Sequence, residues 1–307
     1  MNLIYLRYAV EVASAGSINR AAEKLCVDQP NLSRAIRELE ASLGVSVFSR
    51  SPKGMKLTPE GEKFIVAAKS ILREVDAAEK MFKKGSGKKQ YFSLSSPRAS
   101  YICRAFTDFS ARFSSASEVE AVYRETNSMR TVKNVLQGES KLGIIRYADG
   151  YDRYYKEMCG ERGLVCELVA EFSPVLIMRA DSPVATGDIS EAALASLIEV
   201  AHADPYVPTL PFDEVRREEL PEAARRIFIY ERATQFELLA AHPDMYMRVS
   251  PVPADILARY GLISRPDPKE RVYRDVMIYR KDYQLSALDK AFISELCRVR
   301  RETIPGR

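Results

Sequence analysis

The stretch AGSINRAAEKLCVDQPNLSRAIRELEASLG, residues 15–44, predicts two helices joined by a tight turn. Ser17 suits the N-cap of a short helix over residues 18–25. Asp28 suits the N-cap of a longer helix, which the following Gly44 would end. Because apolar residues recur at helical spacing along the second helix, one of its faces is expected to be buried. Two short helices in this arrangement are typical of a helix-turn-helix.

The flanking sequence predicts a first helix and a wing. Apolar residues at helical spacing over residues 3–13 indicate a helix that stops at Gly16. Downstream, segments 47–50 and 55–57 flank a turn and predict a small hairpin. Residues 1–58 are therefore expected to form a winged helix-turn-helix.

The exposed face of the second helix carries side chains that suit DNA. Gln and Asn can pair bidentately with adenine, and Arg with guanine, in the major groove. Hydroxyls, helix-start amides and cations at the tip of the wing suit phosphates. The alternative is that these residues are only the wet side of an amphipathic helix. The residues predicted in this way to contact DNA are Ser17, Gln29, Asn31, Ser33, Arg34, Arg37, Arg50 and Lys53.

Charge is unevenly distributed along the 307 residues. Residues 1–89 hold 16 Lys and Arg against 10 Asp and Glu, a net charge of +6, whereas residues 90–307 hold 30 against 32, a net charge of −2. A basic N-terminal third joined to a near-neutral remainder favours a polyanion-binding module attached to a second unit. Chance clustering of charge on a solvated face is the other interpretation, and charge alone does not separate the two.

Five segments together resemble the N-terminal part of LysR-type regulators. They are AGSINRAAEKL (15–25), QPNLSRAIRELE (29–40), LGV (43–45), VFSR (47–50) and LTPEG (57–61). Beyond them the resemblance extends only to length and to the order of elements.

The resemblance implies a bacterial transcription regulator with a winged helix-turn-helix, a linker helix and a C-terminal effector-sensing domain. Such proteins form dimers and tetramers on imperfect palindromes in promoter DNA, and RNA polymerase is expected as a further partner. The residues that the resemblance places near bases or backbone are Gln29, Pro30, Ser33 and Arg34, with Arg50 and Lys53 at the flanking groove.

A long linker helix is predicted over residues 59–84, with Thr58 as its cap. Apolar residues then recur in alternating steps of four and three, which is a heptad seam and favours pairing with a second subunit. Packing of the helix on its own chain is the alternative. The Gly, Ser and Lys residues at 85–89 predict a flexible hinge. The predicted dimerisation residues are Phe64, Ala68, Ile71, Val75, Ala78 and Phe82.

From residue 90 onward the pattern alternates strands and helices, which predicts parallel α/β sheets. The predicted strands are 91–95, 119–125, 141–147, 165–178, 197–201, 226–231, 245–250 and 273–280. The predicted helices are 98–113, 128–137, 151–160, 189–195, 212–218, 233–241, 253–260 and 286–302.

The family resemblance implies that residues 90–307 form a periplasmic-binding-protein-like effector domain of two subdomains. We assign residues 90–163 and 267–307 to subdomain I and residues 164–266 to subdomain II. The expected fold class is thus an α+β winged helix-turn-helix with a long linker helix, followed by this α/β domain.

Polar residues after the predicted strands are candidates for an effector cleft, because ligands bind beyond the carboxyl ends of strands. Hydroxyls and helix-start amides that face arginines suit a carboxylate or another small anion. We expect Ser96 to cap the helix that follows it. The alternative is that these residues are caps, turn residues and surface charges. The predicted effector-binding residues are Ser96, Arg98, Ser100, Thr126, Asn127, Ser128, Arg146, His202, Arg232 and Ser250.

Other classes of protein find little support in the sequence. No apolar run is long enough to span a bilayer and no export signal is visible, so we expect a cytoplasmic protein. Five scattered cysteines argue against a disulfide framework and a zinc site, and a Cys159–Cys166 thiol switch is a minor alternative. Without GxSxG or a Gly-rich phosphate loop, neither catalytic residues nor a cofactor are expected. The functional alternatives are an effector-independent oligomerisation domain and an enzyme acting on a small acid.

Overall fold

The computed structural model describes residues 2–51, 54–82, 90–116, 118–187, 189–204, 223 and 225–304. It divides into two compact units, Met1–Gly87 and Lys88–Arg307. Within these described ranges, no helix is long and apolar enough to cross a membrane.

The N-terminal unit is a helical domain with a short hairpin. Its elements are α1 (Leu3–Ala15), α2 (Ile18–Leu25), α3 (Gln29–Leu43), β1 (Phe48–Ser51), β2 (Gly54–Leu57) and α4 (Pro59–Phe82). The two strands pair antiparallel and form the predicted wing.

The first three helices begin and end near the capping and stop residues predicted from the sequence. Gly16 and Gly44 have φ values of 63° and 70° and end α1 and α3 in the left-handed conformation that glycine adopts without strain. Ser17 and Asp28 occupy the N-cap positions of α2 and α3, as predicted. Neither of these two side chains makes a capping hydrogen bond, however.

The core of this unit joins the three helices to the wing. Leu32, Ile36 and Leu39 form the buried face of α3 and belong to one apolar cluster with residues of α1, α2 and β1. Val47 belongs to the same cluster, and its carbonyl oxygen would lie 2.0 Å from a Cβ placed on Gly61. Only glycine therefore permits this close approach of α4 to the wing.

The heptad seam of α4 begins on the core of its own unit. Phe64 packs against the N-terminal cluster, and Ala68 is fully buried within the single chain. Because no part of Ala68 is exposed in the single chain, the structure gives no support to the predicted contact of Ala68 with a second subunit. Ile71 is 37% exposed and remains available. The side chains of Ala78 and Phe82 and the hinge 85–89 lie outside the described residues.

The C-terminal unit alternates strands and helices. Its strands are β3 (Gln90–Ser96), β4 (Val119–Glu125), β5 (Leu142–Ala148), β6 (Leu164–Phe172), β7 (Val175–Arg179), β8 (Ile198–His202), β9 (Arg226–Ile229), β10 (Met245–Val249), β11 (Leu262–Pro266) and β12 (Tyr273–Arg280). Its α-helices are α5 (Ser100–Ser110), α6 (Ser128–Leu136), α7 (Asp152–Glu161), α8 (Glu191–Ala195), α9 (Arg232–Ala241), α10 (Ala254–Arg259) and α11 (Ala287–Thr303). Short 3-10 turns occupy Ala111–Ser115 and Asp149–Tyr151.

The strands form two five-stranded sheets, one in each subdomain. The first has the order β4-β3-β5-β12-β6 and the second the order β11-β7-β10-β8-β9. Pairing is parallel around β3 and β8, as predicted, whereas β12 and β7 run antiparallel to both of their neighbours. In the first subdomain, Phe109 of α5 and Phe292 of α11 pack on Phe92 of β3, with ring centroids 4.8 and 5.2 Å away.

Four sequence predictions need correction here. The single strand predicted at 165–178 is two strands in different sheets, broken at Ser173 and Pro174. Because β6 belongs to the first sheet, subdomain II begins after Phe172 and not at residue 164.

Strand β11 was not predicted, and the helix predicted at 212–218 lies outside the described residues. Helix α5 has Ala99 at its N-cap, so Ser96 does not cap it.

Candidate functional site

The first candidate site is the solvent face of α3. Gln29, Asn31, Arg34 and Arg37 are all exposed along its first turns, between the buried apolar positions. Gln29 Nε2 donates to Ser33 Oγ at 2.7 Å, which holds two of the predicted DNA-contacting side chains together. These groups supply the donors and acceptors that base edges in a major groove require.

The remaining predicted DNA-binding residues surround that face. Pro30 is exposed in the first turn of α3, and Ser17 is half-buried at the start of α2. Arg50 lies in β1. Its side chain and the whole of Lys53 are outside the described part of the chain.

A carboxylate that was not predicted as a site residue fixes the wing to α3. Glu40 Oε1 accepts hydrogen bonds from the backbone N–H groups of Val47 at 2.7 Å and Phe48 at 2.9 Å. Thr58 Oγ1 reinforces this junction by donating to the Ser46 carbonyl at 2.6 Å. Helix α3 and the wing are therefore held in one geometry by side chains of the same unit.

The second candidate site is a cavity of about 230 Å³ in the C-terminal unit, between its two sheets. We call it the subdomain cavity. Seven of the ten predicted effector-binding residues line it, namely Arg98, Thr126, Asn127, Ser128, Arg146, His202 and Ser250. The rule that ligands bind beyond strand carboxyl ends therefore located the cavity.

Three predicted effector residues do not line it. Ser96 is buried and donates to the Tyr123 hydroxyl at 3.3 Å, and Ser100 is buried in the first turn of α5. Arg232 donates from Nε to Glu125 Oε1 at 2.8 Å, which directs its guanidinium away from the cavity lining. These three residues serve packing and cross-subdomain contacts.

The two predicted cavity arginines are already paired with carboxylates. Arg98 Nη1 donates to Asp204 Oδ1 at 2.6 Å. Arg146 makes a bidentate pair with the fully buried Asp275, at 2.8 and 2.7 Å, and its guanidinium lies over the Phe172 ring at 4.8 Å. Both positive charges are therefore neutralised by this chain itself.

Sequence reasoning missed an ion-pair network on the opposite wall. Arg248 donates to Glu199 at 3.0 Å, to Asp267 at 3.1 Å and to Glu191 at 2.9 Å. Burial opposes the charged form of Arg248, but the facing Tyr246, Asp267 and Glu199 outweigh it and raise its pKa. The signal in the sequence was Glu199, an acid inside an otherwise apolar strand.

Two polar side chains of the cavity stand out because their polar atoms are buried without a partner among the described residues. They are Ser250 Oγ and both ring nitrogens of His202. Burial, followed by the charges of Arg98 and Arg146, lowers the pKa of His202 to about 3, although the nearby Ile229 carbonyl, which does not reach hydrogen-bond geometry with either ring nitrogen, acts in the opposite direction. The imidazole is therefore neutral at physiological pH.

In the described residues no group of three or more His, Cys, Asp or Glu side chains could hold a metal ion.

Comparison with known proteins bears first on the N-terminal unit. The family model described as "Bacterial regulatory helix-turn-helix protein, lysR family" matches residues 3–62, from α1 into α4. The N-terminal domain belongs to the lysR family. The curated relative HTH-type transcriptional regulator BenM of Acinetobacter baylyi is 43% identical to this chain over 84 residues, which are 27% of the chain and 28% of BenM. The match thus spans little more than a quarter of that relative.

Solved structures are similar in fold to this chain over nearly its whole length. A full-length point variant of OxyR from Pseudomonas aeruginosa has a TM-score of 0.60 at 18% identity, covering 100% of this chain and 99% of that one. Full-length CbnR complexed with its target DNA has a TM-score of 0.60 at 20% identity, covering 97% and 100%. These similarities confirm the predicted fold class, a winged helix-turn-helix followed by a two-subdomain α/β domain.

Proposed function

We propose that this protein is a DNA-binding transcription regulator of LysR type, acting in the cytoplasm, whose promoter binding is modulated by a small molecule in the subdomain cavity. The observation that carries the proposal is the exposed face of α3, where Gln29, Asn31, Arg34 and Arg37 project from a lysR-family domain. A fold shared with a protein crystallised on its target DNA supports the same function.

DNA binding on a palindrome requires two copies of α3 at a fixed spacing. We propose that two subunits pair through the exposed part of α4, beginning at Ile71, in a dimer or tetramer. The bound regulator would then act on RNA polymerase at the promoter.

The subdomain cavity supports the effector part of the proposal. Its lining comes from both sheets, with Thr126 and Arg146 on one side and His202 and Ser250 on the other. A ligand that fits one separation of the two subdomains better than another would shift the population toward that separation. A carboxylate effector, which the sequence favoured, would have to compete with Asp204 for Arg98 or with Asp275 for Arg146.

A footprint of the purified protein on the DNA upstream of its own gene tests this function. It is run across a salt series, with and without a pool of metabolites. We expect a protected palindrome whose occupancy falls as salt rises, because phosphate contacts release counterions. A change of footprint with metabolites supports effector sensing, and a folded, dimeric sample that protects no site contradicts the regulator function.

A further inference from the structure

We propose that the subdomain cavity binds a small uncharged molecule that has an apolar body and a hydrogen-bonding polar group, and that Ser250 and His202 contact this polar group. The inference rests on the proposed function, since it names the class of effector for the same cavity. It departs from the anionic ligand that the sequence favoured.

Some buried polar atoms of the cavity lack hydrogen-bond partners among the described residues. The Ser250 side chain is 3% exposed and lines the cavity, yet its Oγ has no hydrogen-bond partner among the described groups. The two His202 ring nitrogens are in the same situation. Buried polar groups without partners cost free energy, so native proteins rarely keep them unless a ligand or water completes them.

The arginines of the cavity are already paired with carboxylates. Arg98, which follows β3, is held by Asp204, and Arg146, near the carboxyl end of β5, is held by Asp275. Arg248 on the opposite wall contacts three carboxylates. An anion entering between these pairs would have to displace a carboxylate to gain a full counter-charge, which a neutral molecule does not have to do.

Lys269 and Arg271 also line the cavity, and both are only partly buried. Lys269 lies 3.7 Å from Glu191, which already contacts Arg248. The positive charge of Lys269 is therefore shared with a carboxylate of the same wall.

Much of the cavity lining is apolar. Tyr147, Phe172, Val200 and Met247 are each at most 4% exposed and face the cavity from both sheets. Apolar walls with a few placed polar groups are typical of sites for small organic molecules. A neutral imidazole can donate one hydrogen bond and accept another, and a hydroxyl can do the same, so the pair suits an amide, alcohol or phenol.

The test compares matched neutral and anionic probes on the full-length protein by titration calorimetry at pH 7.5. The pairs are benzamide and benzoate, nicotinamide and nicotinate, and pyrrole-2-carboxamide and pyrrole-2-carboxylate. We expect at least one amide to bind about ten-fold more tightly than its acid. The proposal is overturned if no amide binds, or if the acids bind equally or more tightly.

Variants identify the groups that contact the probe. Ser250→Ala should weaken amide binding about ten-fold, or about 1.4 kcal/mol. His202→Gln should retain more amide binding than His202→Phe, because the glutamine side chain keeps a hydrogen-bond donor and an acceptor. Ser182→Ala is the matched control, because Ser182 Oγ is also buried without a described partner but does not line the cavity. If ordered water completes Ser250, Ser250→Ala leaves amide binding unchanged and the proposal fails.

Calorimetry needs no DNA, so its outcome separates this inference from the proposed function. A protein that protects a promoter but prefers the acids retains the function and loses the inference. A protein that binds an amide but protects no promoter site supports the inference and contradicts the proposed function.

Discussion

Arg98 donates from Nη1 to Asp204 Oδ1 at 2.6 Å and from Nε to the Tyr230 carbonyl at 2.6 Å. Arg98 follows β3 of the first sheet, whereas Asp204 and Tyr230 follow β8 and β9 of the second. The Arg98 side chain is only 11% exposed, so the pair is largely shielded from solvent. This contact ties the two subdomains together beside the cavity.

Replacing Asp204 with Asn should weaken this tie, since a largely buried guanidinium would lose its counter-charge. We expect Asp204→Asn to lower the free energy of unfolding by about 1–3 kcal/mol in urea denaturation. In combination with Arg98→Met the loss should be smaller than the sum of the two single losses. Glu157→Gln is the control, because its pair with Arg153 is exposed and should cost at most about 0.5 kcal/mol. If Asp204→Asn and Glu157→Gln lowered the free energy of unfolding equally, the role given to Asp204 would be contradicted.

Arg34→Ala should weaken specific DNA binding while the N-terminal unit stays folded. The side chain is exposed on α3, so its loss removes no core contact. A bidentate arginine–guanine contact contributes roughly 1–3 kcal/mol to discrimination between bases. Affinity should be measured on the footprinted site and on a scrambled site at the same salt concentration. Arg153→Ala, an exposed arginine of the C-terminal unit, should bind as the wild type does, and an unchanged Arg34→Ala footprint would refute the assignment of α3.

Glu40→Ala should destabilise the junction between α3 and the wing. The Glu40 carboxylate accepts two backbone hydrogen bonds, and its removal leaves both donors at the start of the wing without that partner. We expect a loss of about 1–3 kcal/mol in the unfolding of the N-terminal unit. Glu38→Ala removes one surface hydrogen bond, to the Tyr5 hydroxyl, and should cost less. If Glu40→Ala and Glu38→Ala lower the free energy of unfolding of the N-terminal unit equally, Glu40 does not hold the wing.

Local signals made the N-terminal unit predictable from sequence. Gly16, Gly44 and the capping positions act within a few residues of the helix ends that they set. What a helix face packs against is not local, however. The heptad seam predicted apolar contacts along α4, but its periodicity could not show that Ala68 is buried on the same chain.

The subdomain cavity was predictable in place but not in chemistry. Strand ends meet at one edge of a sheet, so the residues that follow them could be assembled without coordinates. The partners of those residues could not, since Asp204 and Asp275 lie 106 and 129 residues from the arginines that they neutralise. The break at Pro174 was visible in the sequence, but the apolar pattern on both sides of it predicted one continuous strand.

His202 makes the stability of the C-terminal unit depend on pH. Its pKa is lowered from 6.5 to about 3 in the folded chain, mainly by burial. Between these two values the unfolded chain binds a proton that the folded chain does not, so acid favours unfolding. The contribution of the neutral imidazole to the free energy of unfolding is fully present above pH 6.5 and is lost as the pH falls toward 3. The loss between pH 6.5 and pH 5 should be about 1.5 kcal/mol.

The measurement is urea denaturation of the wild type and of His202→Gln at pH 6.5 and pH 5. Both proteins share every other titrating group, so the difference between their losses isolates the imidazole. The wild type should lose about 1.5 kcal/mol more than the variant over this interval. Equal losses would mean that the imidazole titrates normally in the folded chain. In that case it would be solvated rather than held neutral between the two sheets, and it would carry a positive charge into the cavity at pH 5.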